Sequence, residues 1–261
     1  MRRPALFWLL LAFTLCVAAF LVVPVGLSVL TGLTNNQFQG VSSGLTFKWV
    51  VKVWTDYQGP LWLSLGIALA CLACTLLLGV PAAYVLSRTQ GRWARAIEEL
   101  LMLPVALPGL ATGLALILAY GAVGSFRTHW SFVLVGHVLF TLPFMVRAVL
   151  AVLLSVDMRQ LEEGARSLGA SFAQRFFGIV LPNCKPGIVA GALMVLTLSI
   201  GEFNMSLLLH SPFTQTLPVG LADAYASLRI EVGSAYTIVF FLMIVPLLIA
   251  LQVADGRSKT P

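Results

Sequence analysis

The chain has 261 residues, of which 59% are hydrophobic and only 10% charged, and it carries a formal net charge of +6. A soluble domain of this length normally has about 25% charged residues, so lipid must be the solvent over much of the surface and a wholly soluble protein is excluded. The basic residues are spread along the chain instead of gathering on a soluble domain, so the charge does not point to nucleic acid as a partner.

A hydrocarbon core about 30 Å thick needs about 20 apolar residues as helix. Only a helix or a closed barrel satisfies its own backbone in lipid, and the alternation of a barrel strand is absent. Six runs qualify as helical spans, at about residues 6–30, 61–87, 100–122, 131–154, 187–209 and 234–254. The first run exceeds the roughly 7–15 apolar residues of a cleaved signal and reads as a retained anchor. In the loop that follows, Phe47, Trp49, Trp54 and Tyr57 suit the headgroup level. Cys71 and Cys74 form a C-x-x-C inside the second run, which reads as two small residues on a buried face and not as a redox pair or half a metal site. Pro104 and Pro108 predict a kink or irregular backbone where the third run begins, and Pro143 predicts a bend in the fourth.

Lys and Arg set the orientation. With the N-terminus inside, eleven basic residues lie on the inner side: Arg2, Arg3, Arg88, Arg92, Arg95, Arg159, Arg166, Arg175, Lys185, Arg257 and Lys259. Lys48, Lys52, Arg127 and Arg229 lie on the outer side, while Arg147 sits near the inner end of span four, where it can snorkel. The expectation is an all-α membrane protein, a single domain over residues 1–261 with six transmembrane helices and both termini cytoplasmic.

The loop between spans four and five, residues 155–185, is polar and patterned as helix, turn, helix. Asp157 and Gln160 have capping-box spacing, which starts a helix at Met158. Leu161, Ala165 and Leu168 share one face, Glu162 and Arg166 form an i,i+4 pair, and Gly169 ends the helix as a left-handed C′ residue. Ser171 and Gln174 repeat the capping spacing before a second helix that carries Phe172, Phe176 and Ile179 and is closed by Pro182. On periodicity alone this is either an amphipathic linker on the membrane surface or a docking element for a soluble partner.

The stretch resembles the cytoplasmic loop signature of permeases of ATP-binding-cassette (ABC) importers: Glu-Ala-Ala, three residues, Gly, nine residues, Ile, one residue, Leu-Pro. The matching residues are Glu163, Ala165, Gly169, Ile179, Leu181 and Pro182. Gly164 stands where the family commonly has Ala, a change that costs about 1 kcal/mol in a helix interior. Leu103-Pro104-Val105-Ala106-Leu107-Pro108-Gly109 is similar to the start of the third span in permeases for polyamines, aminophosphonates, ferric iron, sulfate and molybdate. The resemblance covers most of the chain from span two onwards. It implies the type I ABC importer permease fold, in the bacterial cytoplasmic (inner) membrane. It also implies that the loop is a coupling helix seated in a groove of a cytoplasmic ATPase, with Glu163, Gly164, Ala165, Gly169, Ile179, Leu181 and Pro182 as the coupling residues. The partners it implies are a second permease chain in a heterodimer, two ATPase subunits that hold the ATP and Mg, and an extracytoplasmic solute-binding protein.

No phosphate-loop motif occurs, so no cofactor is expected on this chain, and no nucleophile, base or metal constellation makes it an enzyme. Inside the spans, Glu202 stands out, because a charge in lipid normally faces protein or water. Ser199, Glu202 and Ser206 share a helical face, at i, i+3 and i+7, that can line the translocation path, as span five does in the resembled family. The other reading is a carboxylate hydrogen-bonded to a neighbouring helix. On the path, it would favour a polyamine or an aminophosphonate, although related anion permeases also carry Gly-Glu-Phe here. His137, in span four, reads as a helix-packing donor or a proton site. Asp223, Arg229 and Glu231 read as solvated or touching the binding protein. The function expected is ATP-driven import; the alternative is a secondary transporter in which Glu202 and His137 relay protons.

Overall fold

The computed structural model describes residues 5–89 and 91–256. Arg2, Arg3, Arg257 and Lys259, on which the orientation expectation partly rests, lie outside the described residues. Helices follow one another as α1 (Ala5–Gly32), α2 (Lys48–Asp56), α3 (Gln58–Arg88), α4 (Arg92–Ala106), α5 (Gly109–Tyr120) and α6 (Trp130–Ser155). Then come α7 (Met158–Ser167), α8 (Phe172–Arg175), a π-helical turn (Phe176–Val180), α9 (Leu181–Asn183), α10 (Lys185–Ile200), α11 (Asn204–Leu209), α12 (Leu217–Ala226) and α13 (Ile230–Gly256). Among the described residues four of these are long and apolar enough to cross a membrane alone, and two bent pairs raise the number to six.

The bends fall where the chemistry demands them. Helices α4 and α5 meet at 103°. Leu107, forced towards extended backbone by the proline after it, has φ −89° and ψ 143°. Pro104 stays inside α4, so of the two expected kink residues only Pro108 marks the break. At 12 residues, α5 is about 18 Å long and too short to cross lipid unaided. The helix of span four runs unbroken through Pro143. The second bend, of 66°, separates Phe172–Asn183 from α10. Here the sequence reading needs correction, because Pro182 does not close a helix. The helix continues past it, and the π turn before it widens the backbone where the proline ring would strike the carbonyl of Gly178. Span five is also not the continuous helix expected over 187–209: α10 ends at Ile200, Gly201–Phe203 are non-helical, and α11 restarts at Asn204.

The chain divides into two compact units. One holds the chain up to Gln58 together with Gly220–Met243. Its long helix α1 is apolar all round and its membrane-length window is wholly exposed, as suits a helix facing lipid or another chain. The loop between α1 and α3 is tied internally: Trp49 Nε1 donates to the Thr34 carbonyl at 2.9 Å, and Gln37 N donates to Glu231 Oε1 at 3.0 Å. Arg229 donates to Tyr57 Oη at 2.6 Å and to Asp223 Oδ2 at 2.9 Å. Arg229 and Glu231 are therefore internal struts, and only Asp223 keeps the largely exposed position expected of all three.

The second unit holds Gly59–Val219 and the chain from Ile244 onwards. Its centre is the seam of α3, α6 and α10 around Met145, which is fully buried. Small residues let the helices approach: a Cβ on Gly187 would lie 2.6 Å from the Ala148 carbonyl oxygen, and one on Gly191 would lie 2.7 Å from Met145 Sδ. Cys71 is buried in this seam with its Sγ 3.1 Å from Thr141 Oγ1. Thr141 already donates to the His137 carbonyl, so the thiol is the donor. The C-x-x-C is a packing feature, and both cysteines are free.

Candidate functional site

Two clusters of charge lie in the second unit, one at the α7 loop and one at the break in span five. Helix α7 forms as expected. Asp157 accepts from Gln160 N at 3.2 Å, and Gly169 has φ +85°. Gly169 N donates to the Arg166 carbonyl at 2.9 Å and Ala170 N to the Ala165 carbonyl at 3.0 Å, the two bonds of a Schellman ending. Ser171 and Gln174 close a full capping box.

The sequence left open which face of α7 packs inward, and the structure assigns it to Met158 and Glu162. Met158 and Glu162, one turn apart, are buried, and Ala165 continues their stripe half-buried. Leu161 and Leu168, on the same face as Ala165, are 47% and 90% exposed. Glu162 does not serve Arg166. Its Oε2 accepts from Tyr84 Oη at 2.9 Å, its Oε1 accepts from Arg88 Nη2, and Arg175 Nη1 lies 3.9 Å from Oε2. The i,i+4 pair on this helix is instead Arg159–Glu163 at 2.9 Å, with both side chains mostly exposed. Glu163, Gly164 and Gly169 therefore stand at the surface, and a Cβ on either glycine would meet nothing within 4 Å. Ile179 and Leu181 are half-buried and Pro182 is exposed. An open cleft of about 750 Å³, bounded in part by Arg88, Asp157, Glu162, Glu163 and Arg175, lies beside α7.

The second cluster is built around α11. Helix termini leave about four amides and four carbonyls without intrahelical partners, and in lipid each needs one from the protein. Glu202 lies just ahead of the helix. Its Oε1 accepts from Met205 N at 2.8 Å, and its Oε2 accepts from Ser206 N at 2.8 Å and Ser206 Oγ at 2.9 Å. At the other end Arg127 donates to the Leu209 carbonyl at 2.9 Å and to the Leu208 carbonyl at 3.1 Å. His210 takes the two carbonyls before those, donating from Nδ1 to Leu207 at 2.8 Å and from its amide to Ser206 at 2.9 Å. An anion at the N-terminus and a cation at the C-terminus both complement the helix dipole.

His137 links this cap to α10. Its Nδ1 lies 2.8 Å from Ser199 Oγ and its Nε2 lies 2.9 Å from Ser206 Oγ. Because the Ser206 hydroxyl is spent on Glu202, Nε2–H is the donor to Ser206, and Nδ1 accepts from Ser199. Ser199, Glu202 and Ser206 thus come together as the sequence suggested, but not as a helical stripe. Their relative exposures are 3%, 9% and 0%, and their polar atoms turn towards His137 and the amides of α11. Sequence reasoning missed Arg127, taken as an outer-loop charge; the basic residue alone gave no signal, because α11 was not recognised as a separate helix.

The shape of this chain matches a solved bacterial ABC transporter involved in the import of the acidic polysaccharide alginate. The TM-score is 0.71 over 97% of this chain and 96% of that one, at 16% sequence identity. The molecule is therefore an all-helical membrane protein with the fold of an ABC importer permease. Residues 75–259 match the family described as the inner membrane component of binding-protein-dependent transport systems, and the chain belongs to that family. Among its relatives, the sulfate transport system permease protein CysW of Synechocystis sp. is 28% identical over 78% of each chain. The putrescine transport system permease protein PotI of Escherichia coli K12 is 29% identical over 81% of this chain and 76% of its own. A molybdenum transport system permease protein, ModB of Mycobacterium tuberculosis, is 28% identical over 82% of this chain and 83% of its own.

Proposed function

We propose that this chain is one of two permease subunits, in a heterodimer, of an importer driven by two cytoplasmic ATPases and supplied by an extracytoplasmic solute-binding protein. The observation that carries the reading is the division of α7 into two faces. Met158 and Glu162 anchor the helix inward, while Leu161 and Leu168 on one flank and Glu163 on the opposite flank stay exposed. The exposed leucines on one flank and the exposed Arg159–Glu163 pair on the other offer a partner's groove both an apolar and a charged contact. Glu163, Gly164, Ala165 and Gly169 supply the docking turn, and Ile179, Leu181 and Pro182 carry the motion into α10. ATP and Mg stay on the ATPases. Glu163→Lys is expected to abolish uptake and ATPase co-purification while leaving the permease in the membrane; retained association with normal uptake would refute the docking role.

The solute we propose is a small charged molecule. The reason for preferring a polyamine or an aminophosphonate was a free carboxylate on the path, and Glu202 is bound at both oxygens to α11. Ser199, Glu202 and Ser206 then shape the path indirectly, by holding the break in span five open to a fixed angle. Relatives named for putrescine support a cation, and those named for sulfate and molybdenum support an oxyanion. A thermal-shift screen of the partner binding protein against putrescine, an aminophosphonate, sulfate and molybdate distinguishes them.

A further inference from the structure

One acidic side chain in the α7 loop is not part of the outward docking face. Glu162 is only 6% exposed as a side chain, and it joins three separate pieces of chain. Arg88 and Tyr84 reach it from the end of α3, 74 and 78 residues away in sequence, and Arg175 reaches it from α8. The surroundings hold these partners in place. The Tyr84 ring meets Phe176 edge-on at 5.4 Å and Phe172 at 6.1 Å, and the Arg88 guanidinium lies 5.3 Å from the Tyr84 ring centroid. Glu162 accepts from Arg88 Nη2 and faces the Arg175 guanidinium as an ion pair, while the Nε atoms of both arginines are buried without a hydrogen-bond partner. A buried carboxylate shared by two cations and a hydroxyl ties these segments together, because removing the carboxylate leaves both guanidiniums without their anion.

We propose that Glu162 is a positioning residue for transport: it ties α7 to the inner end of α3, so that a displacement of α7 moves the second span directly. Without the tie, α7 keeps only the apolar packing of Met158 and its covalent continuations into α6 and α8. The inference rests on the coupling role proposed above for α7. Glu162 and Glu163 are thus neighbours with different duties, one linking α7 to its own chain and the other facing the ATPase. Removing the first should waste ATP; removing the second should detach the motor.

The test uses the complete importer, with its binding protein and solute, in proteoliposomes. Uptake and ATP hydrolysis are measured together for Glu162→Gln, Tyr84→Phe and Glu163→Lys. Glu162→Gln is expected to retain the ATPase on co-purification while solute moved per ATP hydrolysed falls at least tenfold. Tyr84→Phe, which deletes one hydroxyl and keeps the ring on Phe176, is expected to lower the same ratio severalfold, and it serves as the test if Glu162→Gln does not reach the membrane. An unchanged ratio in a folded Glu162→Gln or Tyr84→Phe importer, with Glu163→Lys detaching the ATPase, overturns this inference alone. If Glu163→Lys keeps the ATPase and transports normally, the coupling reading itself fails.

Discussion

Glu202→Gln is the sharpest probe of the break in span five. The carboxylate accepts three hydrogen bonds, from Met205 N, Ser206 N and Ser206 Oγ, all at 2.8–2.9 Å. A glutamine keeps one acceptor oxygen, and its NH2 group faces an N–H where an acceptor stood. A hydrogen bond to a charged group contributes about 1.5–3 kcal/mol, and a stranded buried donor costs about 1–3 kcal/mol. The lost interaction with the helix N-terminus adds up to about 2 kcal/mol. Relief of the desolvated charge offsets part of this, leaving about 3 kcal/mol against local order in α11. At about 1.4 kcal/mol per factor of ten, that is roughly a hundredfold rise in the opening equilibrium of this segment. Hydrogen exchange on peptides covering 203–210, in nanodiscs, reads it directly. Their protection should fall by about two orders of magnitude while peptides from α3 stay unchanged. Unaltered exchange in 203–210 would refute the assignment of Glu202 as the cap of α11. A changed solute profile with unaltered exchange would return it to the path.

Arg127→Met should loosen the same peptides by about 2–3 kcal/mol, since it strips the Leu208 and Leu209 carbonyls of their donor. The double variant with Glu202→Gln should cost less than the sum, because both residues hold one helix; additivity would argue against a shared element. Gly187→Ala should lower the thermal midpoint of the purified permease, at a cost of about 1–3 kcal/mol, because the new Cβ meets a backbone oxygen that cannot swing aside. Gly169→Val should destabilise the end of α7 more than Gly169→Asn, as φ +85° is tolerated by Asn and not by a β-branched residue; limited proteolysis between α7 and α8 ranks them. In α2, hydrogen bonding to Lys52 holds the Asp56 carboxyl below its usual 3.8, and Asp56 raises the Lys52 ammonium above 10.5. Asp56 thus helps folding above its unfolded value and loses this as pH falls through its folded value. Lys52 helps below its unfolded value and loses this as pH rises through its folded one. Exchange of the α2 amides should slow slightly between those limits, and added salt should remove the difference.

What was legible in the sequence was local. Asp157, Gly169 and the Ser171–Gln174 pair announced their caps because capping depends on residues three or four apart. Leu107–Pro108 announced its break because proline restricts the residue before it. The burial of Glu162 was not legible. Its helix offers leucines at 161 and 168 for an apolar face, and only Tyr84 and Arg88, brought from another helix, make the carboxylate the better residue to bury. The restart at Asn204 was hidden for a different reason: residues 187–209 are apolar enough to read as one span, and a count of hydropathy does not see a glycine followed by an acid. That pair is itself a signal, since glycine suits a helix end and an acid suits the first turn of the next.

The two discontinuous spans meet at their breaks. A Cβ on Gly109, the first residue of α5, would lie 3.1 Å from Asn204 Cβ and 3.5 Å from Glu202 Oε1, so the turn of span three rests on the cap of span five. Gly136 of α6 lies closer still to α11, with a hypothetical Cβ 2.5 Å from Leu209 Cδ1 and 2.6 Å from Met205 Sδ. Irregular backbone survives at membrane depth only where protein or a water-filled cavity satisfies it. Here the protein does so with Glu202, Arg127 and His210, each spent on a terminus of α11. A charge committed to a helix end is unavailable to a passing solute. The sign of Glu202 therefore says nothing about the sign of the cargo, and the same cap serves a permease for a polyamine or for an oxyanion. Discrimination between them must come from groups that this junction leaves uncommitted and from the binding protein that delivers the solute. That is why a cap-retaining change such as Ser199→Ala should leave the choice of solute unaltered while weakening the His137 link at 2.8 Å. A solute preference that switches in Ser199→Ala would overturn this separation of scaffold from selectivity.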